Sequence, residues 1–392
     1  MMRSDWPRIL LLFACGLAGS WQIGKIPPLL PHAAAELGLD GALQGLIASS
    51  ITFLSIGLFG LAAIACARLR PALGLGVALA LTALGAGLSA TATGPAMLVA
   101  ARMAEGLGYV YLIVACPTGM AALARGSRDQ GIALSIWGCF VPLGIALGGA
   151  AASAVEPSFG WRGGMAVAAI PPAIMLVLAV AVFARMAPLG SDRADALSDG
   201  PIPIAGAGRE GLALAAGFGF FAANFLALMA FLPTRWQALE PMAAGPASIA
   251  FAAVSVTSIG GSLFVAARLA RGGHAQRLAM LGLLLQGGFG IAALLLPDRG
   301  LSILAAGLAI GLGGFTPAAA FALGPRITAS GAGLARLNGW ISGLGSAGSF
   351  TGAPAMGWAL DHAGWTGGAI LLLGLTGLGV AAFLAMGRAK PA

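Results

Sequence analysis

The chain has 392 residues, of which 59% are hydrophobic and only 9% charged, with a mean hydropathy of +0.93. Soluble domains carry roughly 25% charged residues, so this composition excludes a water-soluble globular protein and points to an integral membrane protein. The formal charge of +8 would suit a nucleic-acid partner, but its distribution along the chain reports topology instead.

Apolar runs of 18 or more residues recur along the sequence. Each is enough for a helix through a hydrocarbon core of about 30 Å, and the alternation expected of a membrane β-barrel is absent. Twelve spans are predicted, centred near residues 20, 54, 82, 109, 143, 174, 223, 258, 285, 312, 346 and 376. The apolar run of the first passes residue 20 and exceeds a signal h-region, so an uncleaved first span is expected. With the N-terminus inside, sixteen Lys and Arg, from Arg3 and Arg8 to Arg388 and Lys390, fall on one face, and only Arg162, Arg235 and Arg299 on the other. That is the positive-inside pattern. It places both termini in the cytoplasm of a multi-pass cytoplasmic (inner) membrane protein with lipid around it, and it removes nucleic acid as a partner. The four cysteines, Cys15, Cys66, Cys116 and Cys139, fall inside spans without metal-ligand spacing, so neither a disulfide framework nor a metal site is expected.

Span 1 carries the first anomaly, Lys25 within "SWQIGKIPPLLPH". A charge at the centre of a membrane helix costs about 2.5–3.5 kcal/mol on insertion scales. Trp21, Lys25, Pro28 and His32 follow the i, i+4, i+7, i+11 spacing of one helix face. Span 4 repeats the pattern with Arg102, Glu105, Gly106 and Tyr109. At 1.5 Å per residue, Lys25 and Arg102 each lie roughly 10 Å below the outer end of their helix. Glu105 is the only acid well inside a span. It can face Arg102 at i+3 or Lys25 across a cavity, and it cannot neutralise both, so one positive charge is left over. A dry surplus cation is costly, whereas a wet site regularly occupied by a small anion avoids that cost. Lys25 and Arg102 are therefore candidate anion-binding residues, with Glu105 and His32 as candidate coupling or charge-pair residues. Other readings stay open: Arg102 as a structural or proton-relay residue, Lys25 as a neutral proton-exchanging amine, or Lys25 snorkelling to the headgroups.

The second half repeats the first. "LLPHAAAEL" (29–37) lies over "FLPTRWQAL" (231–239), "EGLGYV" (105–110) over "IGLGGF" (310–315), and "FGWRGGM" (159–165) over "AGWTGGA" (363–369), all at offsets of 202–205. Parallel six-span repeats are a transporter signature. Residues 185–209 lack apolar periodicity and hold Pro, Gly, Asp and Arg, the composition of a linker. The expected domains are 1–184, a cytoplasmic linker at 185–209, and 210–392. By the repeat, Gln22 falls on Asn224. These two amides either bind substrate from both sides or tie helices together. Trp137 and Trp340, with Asn338 beside the latter, are near-equivalents toward the cytoplasmic end and suit a gate or helix packing. Arg235 and His32 are placed near the outer mouth, as interfacial residues or as guides for anions.

Four local motifs give these features a family resemblance. "RMAEGLG" (102–108) matches the R-x-x-[QE]-G-x-G pattern of the major facilitator superfamily, and "GCFVPLGIALGG" (138–149) resembles its Gly-Pro-rich fifth helix. Gly160-Trp161-Arg162 is a frequent close to that helix, and "ACARLRPALG" (65–74) keeps the arginines of the loop after span 2 without its Asp. Together with "QIGKIPPLLPHAAAELGLD", the sequence is similar to the cyanate or nitroimidazole permease-like branch. The resemblance implies an all-α fold of twelve transmembrane helices in two parallel six-helix repeats. Spans 1, 2, 4, 5, 7, 8, 10 and 11 would line a cavity, with 3, 6, 9 and 12 outside. The charge-free cores of those four outer spans agree with that layout.

The function expected is secondary active transport of a small anionic or polar solute by alternating access. The fifth-span motif linked with exporters is partial, which leans toward uptake. Lys25, Arg102, Gln22, Trp21, Tyr109 and Asn224 are the candidate substrate contacts, and a coupling proton or an exchanged anion is the expected co-partner. An exporter of drugs or metabolites, and a non-transporting receptor or assembly factor on the same fold, are the alternatives. No P-loop or nucleophilic triad is present, and His32, His274 and His362 are scattered at span ends, so neither an enzyme nor a cofactor is expected.

Overall fold

The computed structural model describes residues 4–186, 208–241, 244–328 and 331–387. The expected linker therefore falls almost wholly outside the described residues. Span 1 is α1 (Trp6–Gly24) with α2 (Ile26–Leu37), and span 2 is α3 (Gly41–Phe53) with α4 (Ser55–Arg68). Spans 3 and 4 are the longer α5 (Pro71–Ala90) and α6 (Pro95–Leu123). Then follow α7 (Gly126–Trp137), α8 (Phe140–Val167) and α9 (Ile170–Phe183). The second half comprises α10 (Gly208–Leu239), α11 (Ala244–Ala270), α12 (Ala275–Leu295), α13 (Arg299–Gly313), α14 (Phe315–Ile327) and α15 (Gly331–Ala385).

Among the described residues, ten helical stretches are long and apolar enough to cross a membrane. Two of them, Asp129–Phe183 and Leu337–Ala385, run to 55 and 49 residues. Each contains a glycine at positive φ, Gly160 at 66° and Gly364 at 58°. An unbroken 55-residue helix would reach roughly 80 Å, far beyond the hydrocarbon thickness. The glycines are thus where span 5 passes to span 6 and span 11 to span 12, and the ten stretches amount to twelve passes.

The contacts divide the chain into two units. One takes the residues up to His32 and those from Ser50 through α9; the other takes Ala33–Ser49 with α10 through α15. The first unit closes on a core of Ile9, Leu12, Leu75, Leu79, Leu112 and Phe183, into which Cys15, Cys66 and Cys116 pack. All four cysteines are free thiols. Leu214, Phe221, Val265, Leu283, Phe315 and Phe383 form the core of the second. Leu73, Val77 and Leu84 on α5, and Ile170, Ile174 and Val177 on α9, expose more than half of their surface. Those faces are the ones hydrocarbon would cover, as expected of outer spans 3 and 6.

Each unit carries the same clamp, built from different sequence. In the first, Arg162 Nη2 donates to the carbonyl of Ala92 (2.9 Å), just past the end of α5, and its guanidinium lies 4.2 Å from the Trp161 ring centre. In the second, Arg235 Nη2 donates to Leu296 O (2.9 Å), just past α12, and stacks 5.1 Å from Trp365. The tryptophans and the carbonyls are repeat-equivalent; the arginines are not. A cation at a helix C-terminus meets the orphan carbonyls and the negative end of the dipole. Arg235 therefore holds a helix end. Arg235→Ala is expected to lower stability by about 1.5–3 kcal/mol, the range for a hydrogen bond to a charged group. Thermal unfolding in detergent measures it.

Within the second unit, Asp361 receives the first amides of α3. Gly41 N–H lies 3.0 and 2.8 Å from its two carboxylate oxygens, and Ala42 N–H lies 3.3 Å from Oδ2. Asp40 Oδ1 takes Leu43 N–H at 2.7 Å, so three amides that a helix start leaves unpaired are satisfied.

Candidate binding site

The site begins with a broken helix. Prolines at 27 and 28 lack the N–H groups that would bond the carbonyls of Ile23 and Gly24, and α1 stops at Gly24, with α2 starting at Ile26. Lys25 sits in the break. Its side chain is turned into the first unit and has no solvent exposure, so it does not snorkel.

Its ammonium donates to Glu105 Oε1 at 2.6 Å and to Gln22 Oε1 at 2.8 Å. Arg102 Nη1 pairs with the other carboxylate oxygen of Glu105 and donates to the backbone carbonyl of Gln22 at 2.8 Å. Ser89 Oγ, from α5, adds a bond to Glu105 Oε1 at 3.2 Å. Lys25, Arg102, Glu105, Gln22 and Ser89 all have zero exposure. Lys25 and Arg102 thus share one carboxylate, an oxygen each, and the formal charge of the trio is +1. Glu105 leans on α5 because Gly85 has no side chain: a Cβ there would fall 2.6 Å from Glu105 Cγ.

Gln22 is engaged at both ends of its amide. Its Nε2 donates to Ala168 O at 2.9 Å and to Ala18 O at 3.3 Å, while Oε1 accepts from Lys25. Asn224, its repeat-equivalent, is also buried and donates to Thr376 Oγ1 at 3.3 Å, leaving its Oδ1 without a partner among the described residues. Each amide thus reaches the last span of its own unit. These are the contacts that the helix-tying reading expects.

The other candidates lie apart from the trio. His32 is about half exposed and faces Glu156, Nδ1 to Oε1 at 3.4 Å. Tyr109 is buried with its ring against Gly19, and Trp21 is half-buried, its Nε1 without a partner among the described residues. Trp137 covers Gly16 and stacks on Phe140 at 4.0 Å, across the short break between α7 and α8. Trp340 packs at the edge of the second core, and neither its Nε1 nor Asn338 Oδ1 has a partner among the described residues. Ser89 and Gly85 were not anticipated, because span 3 shows no charge. Their four-residue spacing on one face of α5 was the available signal. Among the described residues no group of three or more His, Cys, Asp or Glu could hold a metal ion.

Helices that cross a membrane and an ionic cluster sealed among them define a polytopic membrane protein of transporter architecture. The family follows from comparison with known proteins. Residues 10–334 match the Major Facilitator Superfamily model, and the chain belongs to that superfamily. Among solved structures it is similar to a bacterial homologue of the human lysosomal transporter Spinster in its inward-facing, occupied conformation. That match has a TM-score of 0.78 at 16% identity, over 99% of this chain and 98% of the other. It is also similar to the nucleoside transporter NupG, with a TM-score of 0.71 at 16% identity, over 97% of this chain and 99% of the other. At such identity the likeness concerns the fold alone. No curated protein matches the chain.

Proposed function

We propose that the protein is a secondary transporter that moves a small anion across the cytoplasmic membrane by alternating access, in the direction of uptake. One observation carries the reading: Lys25 and Arg102 are both spent on the single carboxylate of Glu105, in a cluster with no solvent exposure. A surplus charge held out of water is expensive unless it is compensated, and an anion supplies the missing charge. The same surplus disfavours cationic cargo. Because the cluster is sealed, an anion reaches it only through a change of conformation, which alternating access provides. Membership of the superfamily supports the transport reading. The partial fifth-span motif supports uptake, and proton coupling through Glu105 or anion exchange would complete the cycle.

The test is thermal stabilisation of the purified protein by formate, acetate, nitrate, cyanate, bicarbonate, sulfate and phosphate, alongside Lys25→Ala. A ligand that binds only the folded state adds about 2.7 kcal/mol at a hundredfold excess over its dissociation constant. Stabilisation of the wild type by at least one of these anions, lost in a folded Lys25→Ala, is the expected result. An equal response in the variant removes Lys25 from the site, and no response to any anion removes the anion reading. Binding without transport in vesicles would favour the receptor alternative.

A further inference from the structure

We infer that Gln22 is the positioning residue through which the charge state of the cluster reaches the start of span 6. The inference rests on the cluster being the functional centre, as proposed above. Its basis is a backbone carbonyl deprived of its donor. Between α8 and α9 the chain reads Ala168-Ala169-Ile170-Pro171-Pro172. In a continuous helix Ala168 O would accept from the N–H of residue 172, and proline has none. A buried carbonyl without a donor is costly, and Gln22 Nε2 supplies the donor at 2.9 Å. The other end of that amide accepts from the Lys25 ammonium at 2.8 Å.

Gln22 is also held at its backbone. Its carbonyl accepts from Arg102 at 2.8 Å, beside the break that Pro27 and Pro28 impose on span 1. One residue therefore touches both cations of the cluster and the proline breaks of two helices. When Lys25 changes partner, from Glu105 to an anion or back, the bond to Gln22 Oε1 must be remade. A rigid planar amide cannot adjust one end without turning the other. The break at 168–169 would then move with the cluster.

The second unit supplies an internal control. Asn224 makes the equivalent tie to span 12 through Thr376, with no charged residue bonded to its amide among the described residues. A tie alone is thus part of the shared architecture; what distinguishes Gln22 is the ammonium at its other end.

Hydrogen exchange on the purified full-length protein tests this, with the peptide covering 164–176 as the readout. Lys25→Met is compared with the wild type, then introduced again into Gln22→Leu and into Asn224→Leu. The expected result is that Lys25→Met changes exchange at the break about tenfold or more, as expected when a local opening equilibrium shifts. In the Gln22→Leu background, which starts from a faster rate, that response disappears, while Asn224→Leu retains it. A merely structural Gln22 would raise the exchange rate without removing the response to Lys25→Met. Persistence of the response without Gln22, or its loss in Asn224→Leu, overturns the inference. If either combined variant fails to fold, Lys25→Gln replaces Lys25→Met as the change of charge and is read by the same peptide. The anion titration above is independent: absence of any anion response with this coupling intact defeats the proposed substrate and leaves the role of Gln22 standing.

Discussion

Glu105→Gln is expected to destabilise the protein by about 3–5 kcal/mol, the range for removing one partner of a buried ion pair, whereas Lys25→Met should cost about 1–3 kcal/mol, the penalty of leaving the buried Gln22 acceptor without its donor. The asymmetry follows from counting charge. Glu105 is the shared partner of two unexposed cations, so its neutralisation takes a carboxylate from both at once. Removing Lys25 leaves Arg102 and Glu105 as a balanced pair, and methionine keeps most of the volume. A conventional one-to-one ion pair would show similar costs from either side. Thermal or denaturant unfolding of the two variants in the same detergent distinguishes these cases. Equal effects would mean that the surplus charge is already compensated within the bundle.

Gln22→Glu should abolish anion binding while leaving Lys25 in place. The substitution keeps an oxygen where Lys25 donates at 2.8 Å and adds one negative charge, bringing the cluster to neutrality. Two unit charges about 4 Å apart interact by about 4 kcal/mol at an effective dielectric of 20. The dissociation constant for any stabilising anion should therefore rise by at least about a hundredfold, since each 1.4 kcal/mol is a factor of ten. The variant also loses the donor to Ala168 O, so some loss of stability accompanies it. Titrating the anion that stabilises the wild type against this variant reads the effect. Retained affinity would show that surplus charge is not what holds the anion.

The helical bundle was legible because hydropathy and charge scarcity act over whole spans, and the repeat because glycines and tryptophans recur at offsets of 202–205. Lys25, Arg102 and Glu105 could be picked out for the same reason: a charge within an apolar run is conspicuous. Their arrangement was less accessible. Spacing placed His32 on the face of Lys25, but His32 lies on α2, past the backbone bonds that Pro27 and Pro28 remove, and faces Glu156 instead. Ser89 escaped notice because one hydroxyl barely alters the hydropathy of a span. Sequence displays Pro171 and Pro172, yet not which side chain lies beside the carbonyl they leave bare; only the packing of α1 on α8 brings Gln22 there. Arg235 illustrates the limit of repeat reasoning. The tryptophan and the helix end recur, while the arginine arrives from another helix.

The cap on α3 bears on how the chain is made. Asp361 follows Gly41 by 320 residues, which at 5–20 residues per second takes the ribosome roughly 15–60 s to add. Throughout that interval the leading amides of α3 are already inserted without the carboxylate that finishes them. The corner at 33–49 is therefore among the earliest pieces synthesised and the last to be completed. A chain cut short before its final spans would keep that helix start raw, a mark by which unfinished protein differs from finished.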